Sequence, residues 1–166
     1  VSRVGTSVAT DLLAWTTNEA KSTIENNLRE DLHQLMSERG VRFSRVITDE
    51  TQFFTPDQVT QLYEIAKVDD IPVVSFGLRV DVYRRLFAGT QRLFELADQS
   101  IELQHDLLCA CGERPMFNGR FIDGVFDTNI DGPQQIIEGS AANVTYDVFC
   151  PGCYDKAEAG AKALQA

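Results

Sequence analysis

Two groups of residues in this chain could carry chemistry. The first is Val46-Ile47-Thr48-Asp49-Glu50-Thr51-Gln52-Phe53-Phe54, an apolar run that ends in two adjacent carboxylates. If the run is a strand of an open parallel sheet, both acids stand at its carboxyl edge, where such folds bind ligands. An Asp there can hold magnesium through water, and a neighbouring Glu can take a proton from a substrate hydroxyl. The competing reading is a solvated Asp-Glu turn, because short acid pairs after strands are common. The second group is two close cysteine pairs, Cys109-Ala110-Cys111 and Cys150-Pro151-Gly152-Cys153, separated by the 38 residues 112–149. Two thiolates from each of two turns can form the tetrahedral cage of a structural zinc site, and four protein ligands leave no position open for catalysis. Disulfides or unpaired thiols are the alternatives, and the Cys-x-Cys half is tighter than the usual ligand spacing.

Weaker candidates surround these. His33 and His105 have no partner at metal-ligand spacing and read as structural. Arg79, Arg84, Arg85 and Arg92 could grip phosphate in bidentate fashion or form a solvated basic face. Asn143-Val144-Thr145 fits a glycosylation sequon, a chance match where no secretory signal is visible. No Gly-Lys pair occurs in the sequence, so a phosphate loop of the form Gly-x4-Gly-Lys-Ser/Thr is absent from these residues.

The elements that must position these groups can be read in order. Residues 1–17 begin irregularly, with Val1 to Thr6 as loop. From Asn18, apolar Ile24, Leu28, Leu32, Leu35 and Met36 recur at helical spacing, and Gly40 stops that helix. Phe43 to Thr48 suits a buried strand. Thr55 reads as an N-cap with Pro56 at the first helical position, and Val59, Leu62, Tyr63, Ile65 and Ala66 supply the apolar face. Ile71 to Phe76 is a second strand, and strand, helix, strand in this order implies a parallel crossover. Residues 78–88 read as loop, 89–97 as helix, and 101–108 as a partly alternating run into the first cysteine pair. Beyond Cys111, Gly, Asn, Asp and Pro with short alternating runs at 135–139 and 144–149 indicate a small β lobe. A helix from Tyr154 to Ala166 closes the chain.

The whole has 166 residues, 43% of them apolar, enough for one globular domain that buries roughly 70% of its unfolded surface. Fifteen Lys and Arg against 25 Asp and Glu give a net charge of −10, which disfavours generic nucleic-acid binding. The longest apolar runs fall far short of the roughly 20 residues needed to cross a bilayer, so neither nucleic acid nor membrane is an expected partner. Absence of a signal-like N-terminus suggests a cytoplasmic protein.

In combination, these residues resemble the type II thymidine kinase family, in its bacterial form with a four-cysteine lobe. Asp49-Glu50-Thr51-Gln52-Phe53 is similar to the family's Asp-Glu-x-Gln-Phe box, and Ile71 to Arg79 to the strand and loop that follow it. Phe87-Ala88-Gly89, Leu96-Ala97-Asp98, both cysteine pairs and Ser2-Arg3-Val4-Gly5 also match family stretches, in the same order. The fold this implies is α/β, a P-loop-kinase-like (RecA-like) parallel-sheet core, N-terminally incomplete, with a small zinc-ribbon-like β lobe and a lasso loop. Expected boundaries are 1–108 for the core, 109–157 for the lobe and 158–166 for a C-terminal tail.

The resemblance implies transfer of the γ-phosphate of ATP to the 5′-hydroxyl of thymidine, a step of deoxynucleoside salvage. Glu50 would be the general base, Asp49 would organise magnesium, and Asp49, Glu50, Thr51 and Gln52 would contact the ATP-Mg co-substrate. Phe53, Val82, Gln135, Ile136, Ile137, Glu138, Gly139 and Tyr146 would contact thymidine, the 135–139 backbone and Tyr146 closing as a lasso over the base. Cys109, Cys111, Cys150 and Cys153 would hold structural zinc, and the assembly would be a homotetramer. Two positions depart from the family: Asp81-Val82 stands for Asp-Phe, removing an aromatic face unless Tyr83 replaces it, and Ile137-Glu138-Gly139 stands for Ile-Gly-Gly. Val1 and the match of residues 2–5 to an internal family stretch suggest that a phosphate-binding segment precedes this chain, without which the fragment would be inactive. The alternatives are a non-catalytic nucleoside-binding or scaffold relative and a zinc-ribbon nucleic-acid binder.

Overall fold

A computed structural model describes residues 12–15, 27–103, 107–133 and 143–165, with residues 12–15 and 165 given by backbone alone. The chain divides into two compact units, one of Val1–Arg79 with Phe87–Ser100 and one of Val80–Leu86 with Ile101–Ala166. The division thus falls after Ser100, where the sequence reading extends the core to residue 108, and the 80–86 segment goes with the second unit.

The first unit is a three-stranded parallel sheet with helices. Its strands β1 (Leu12–Trp15), β2 (Arg45–Thr48) and β3 (Val73–Ser75) lie in the order β1-β2-β3. Helix α1 (Leu28–Arg39) ends as its sequence indicates: Gly40 adopts φ 62° and, with Val41, returns N–H groups to the carbonyls of Ser37 and Met36. Helix α2 (Pro56–Lys67) opens with a capping box, the Thr55 hydroxyl accepting from Gln58 N–H and the Gln58 side chain accepting from Thr55 N–H. It crosses between β2 and β3, which pair in parallel as Val46 with Val73 and Thr48 with Ser75. The second strand is shorter than the 71–76 expected, because Pro72 has no N–H to give the ladder although its carbonyl accepts from Val46. Leu28, Leu32, Val46, Val59, Leu62 and Ile65 form the buried core between sheet and helices. A last helix of this unit, α3, spans Ala88–Leu96. Residues 12–15, to which the sequence assigned no element, form β1, parallel to β2 from Leu12 with Arg45 to Trp15 with Thr48.

The second unit is antiparallel. Strands β4 (Phe117–Ile122), β5 (Val125–Phe126) and β6 (Val144–Phe149) lie in the order β5-β4-β6. Asp123 and Gly124, both at positive φ, make the two-residue turn between β4 and β5. Helix α4 (Pro151–Gln165) starts three residues earlier than expected, so Cys153 lies in its first turn. The span expected as a tail is helical and is anchored by Ala161, which is buried with Phe126 and Tyr154. Among the described residues no helix is long and apolar enough to cross a membrane.

Candidate functional site

The acid pair lies where the sequence puts it, immediately after β2, with both carboxylates exposed. Glu50 takes φ 52°, a left-handed conformation costly for a residue with a side chain. Asp49 Oδ1 accepts from the Glu50 N–H at 2.9 Å, which steadies that bend. A single 3-10 turn, Thr51–Phe53, follows and turns inward. Thr51 is fully buried, its hydroxyl 2.8 Å from that of Thr48, which in turn donates to Ser75 at 2.8 Å. This hydroxyl chain ties the turn to the carboxyl ends of β2 and β3. Gln52 is buried too: its Nε2 donates to Glu50 Oε2, and its Oε1 accepts from Leu78 N–H at 3.0 Å. Phe53 meets Phe87 edge to face, with ring centres 5.5 Å apart.

In the second unit the 80–86 segment is a tightly held loop closed by a bridge between Val80 and Leu86. Asp81 is buried and its Oδ1 accepts from the N–H groups of Tyr83 and Arg85. Val82, the expected thymidine contact, is 6% exposed and its carbonyl accepts from the Tyr154 hydroxyl at 2.5 Å. Tyr83, the possible aromatic replacement, is buried and bonded to Asp127 and Arg120. Burial and the hydrogen bond to Asp127 push its phenol up to about 12. Arg120 is 1% exposed, and donates to Asp127 Oδ2 at 2.8 Å and to the Pro133 carbonyl at 2.9 Å. Burial alone would raise the Asp127 carboxyl, but the Asn129 N–H, Arg120 and Tyr83 together hold it below the ordinary range. Tyr146, another expected contact, is 42% exposed and pairs across the strands with Arg120. Gln135, Ile136, Ile137, Glu138 and Gly139 lie outside the described residues.

Three of the four arginines singled out above make ion pairs. Arg84 pairs with Asp155 and Glu158 of α4, Arg85 with Asp81, and Arg92 with Glu95. His33 likewise stands 3.0 Å from Asp69, beside the Arg29 guanidinium.

The four cysteines converge. All are free thiols, and their four Sγ atoms lie within 4.8 Å of one another, with Cys111 and Cys150 3.5 Å apart. Tetrahedral zinc with bonds of about 2.3 Å sets sulfur atoms about 3.8 Å apart, so the donor set and its spacing fit the ion. The N–H groups of Cys111 and Cys150 pull the Cys109 thiol down to about 6, whereas the crowding of Cys111, Cys150 and Cys109 sulfurs pushes Cys153 up to about 12.

The family model described as thymidine kinase matches residues 5–154 of this chain. The chain belongs to the thymidine kinase family. It is 39% identical over 115 residues to a thymidine kinase of Streptomyces coelicolor, covering 68% of this chain and 52% of that protein. A thymidine kinase of Legionella pneumophila (strain Lens) is 39% identical over 129 residues, 78% of this chain and 59% of its own length. One of Cutibacterium acnes is 32% identical over 148 residues, 89% and 68% respectively. The chain thus spans little more than half the length of the first two of these relatives.

Within this thymidine kinase family member the parallel sheet carries the acid pair and the antiparallel lobe carries a sulfur set compatible with structural zinc. Arg120 and Asp127 are the residues that the sequence reading passed over. Asp123-Gly124 between the apolar pairs Phe121-Ile122 and Val125-Phe126 is a local hairpin signal, and the hairpin sets Asp127, just past β5, opposite Arg120 of β4.

Proposed function

We propose that the protein transfers the γ-phosphoryl group of ATP to the 5′-hydroxyl of thymidine, with Glu50 as general base. The observation that supports this best is the exposed Glu50 carboxylate, held in a left-handed bend at the carboxyl end of a parallel strand in a thymidine kinase family chain. In the step, the 5′-oxygen bonds to the γ-phosphorus, the bond from that phosphorus to the β,γ-bridging oxygen breaks, ADP leaves, and the hydroxyl proton passes to Glu50. Asp49, beside it and exposed, would hold magnesium through water. This division suits phosphoryl transfer, where positioning and charge stabilisation do most of the catalysis.

The rest of the proposal follows the family. The parallel sheet is part of a P-loop-kinase-like core, and, by the family pattern, Phe53, Val82, Gln135, Ile136, Ile137, Glu138, Gly139 and Tyr146 are the residues that contact the nucleoside. Zinc bound by Cys109, Cys111, Cys150 and Cys153 supplies a fixed cross-link between residues 109–111 and the start of α4, with no part in the chemistry. The functional protein is a cytoplasmic homotetramer.

The test is thymidine phosphorylation by the full-length protein and its Glu50→Gln variant. Loss of turnover by roughly 100-fold or more, with zinc content and thermal unfolding unchanged, is expected. Near-normal turnover by Glu50→Gln removes the base assignment, and thymidine binding without turnover by the unaltered protein points to a non-catalytic relative.

A further inference from the structure

We infer that Gln52 is a positioning residue that aims the Glu50 carboxylate by clamping it to the segment leaving β3. The inference rests on the kinase reading of Glu50 above.

Gln52 is 2% exposed, yet both ends of its amide are used. Oε1 accepts from Leu78 N–H at 3.0 Å and Nε2 donates to Glu50 Oε2 at 2.5 Å. Only one amide orientation satisfies both partners, because a backbone N–H needs an acceptor and an ionised carboxylate needs a donor. The clamp also has a rigid far end. The Leu78 carbonyl accepts from the buried Thr90 hydroxyl at 2.7 Å, so both backbone polar groups of Leu78 are held by side chains. Gly77 gives Gln52 its room, since a Cβ at that position would stand 2.6 Å from Gln52 Oε1. Thr51 N–H to the Phe76 carbonyl, 2.9 Å, runs alongside.

The consequence is a division of labour inside the Asp49–Phe53 run. Glu50 is exposed and can meet a substrate hydroxyl, whereas Gln52 is buried and meets Glu50. One carboxylate oxygen is bound from below, which fixes the direction of the other. An exposed glutamate with free rotamers would spend much of its time misdirected, and a base displaced by about 1 Å can lose roughly 100-fold in rate.

Two variants and one spectroscopic readout test this in the full-length protein. Gln52→Glu keeps the length of the side chain and the acceptor for Leu78 N–H, but replaces the donor to Glu50 with an anionic oxygen. Gln52→Leu removes both contacts. Both should lower kcat by roughly 10- to 100-fold while KM for ATP and for thymidine stays within about 3-fold. Leu78 amide exchange should remain slow in Gln52→Glu and quicken in Gln52→Leu. A Gln52→Glu protein with wild-type kcat overturns the proposal, as does a large rise in KM for ATP at unchanged kcat, which would make Gln52 a nucleotide contact. The side-chain amide protons of Gln52 give a readout that needs no turnover: their NMR signals should lie downfield and move on Glu50→Ala. Signals that do not respond overturn the clamp whether or not the protein is a kinase, and an active Glu50→Gln protein overturns the base assignment while leaving the clamp to be judged by the NMR readout.

Discussion

The phenol of Tyr83 donates to Asp127 Oδ2 at 2.9 Å, joining residues 44 positions apart in the chain. Arg120 binds both of them from β4, so the 80–86 loop and the β4-β5 hairpin share one buried charge-assisted network.

Tyr83→Phe removes the hydroxyl and leaves Asp127 and Arg120 each short of a partner. The second unit should lose about 1–3 kcal/mol, measured by urea unfolding with a probe in that unit. The sign of the pH effect is set by the raised phenol. Its contribution is complete below pH 10, where the unfolded phenol titrates, and is lost as pH rises through about 12. Tyr83→Phe should therefore lose less stability than the unaltered protein between those values, and equal losses in both would show that this phenol has no such coupling.

Asp69 gives the opposite pH dependence in the first unit. The Arg29 guanidinium, at 2.8 Å on both carboxylate oxygens, holds its carboxyl below the ordinary range. A depressed carboxyl contributes stability that is present above about pH 4 and lost as pH falls through the folded-state value. Acid titration of thermal stability should be shallower below pH 4 in Arg29→Met than in the unaltered protein; parallel curves would count against the pair.

Gly89 sits on the carbonyls of the acid-bearing turn. A Cβ there would stand 2.6 Å from Thr51 O, 2.7 Å from Phe54 O and 2.9 Å from Gln52 O, and backbone cannot step aside as a flexible side chain can. Gly89→Ala should cost about 1–3 kcal/mol and lower thymidine phosphorylation more than Ala88→Ser, which alters an exposed neighbour. A Gly89→Ala protein of normal stability would mean that α3 can shift without cost.

Metal analysis should find about one zinc per chain, and a chelator strong enough to remove it should abolish the near-ultraviolet signal of the aromatic group around Phe126, Phe149 and Tyr154. Cys150→Ser should do the same without chelator. A metal-free protein with that signal intact would leave the cysteines as ordinary free thiols.

Local features were legible in the sequence. Gly40, Thr55 with Pro56 and the acid pair after an apolar run each act within a few residues, and each is found as its residue type requires. Cysteine spacing favoured a four-sulfur site over disulfides or unpaired thiols, and the structure brings the four sulfurs together as free thiols. Strand β1 was missed because its extended form comes from pairing with Arg45–Thr48, some 30 positions away, rather than from its own pattern. Arg120 was passed over for a similar reason: among Gly, Asn and Asp it reads as a surface cation, and only Asp127 and Tyr83 make its burial affordable.

The sequence by itself determined which chemical groups the chain owns and their order: two acids after a strand, an amide two residues on, and two pairs of thiols. Residue types and short spacings suffice for that, since they depend only on covalent structure and local backbone preference. Tertiary structure decided what each group faces. Gln52 is buried against Glu50, rather than exposed beside it, because β3 and α3 bring Leu78 and Thr90 to its other end. Such an orientation is set by partners distant in sequence, whose approach is driven by burial of the core and not by any property of the run Asp49 to Phe53.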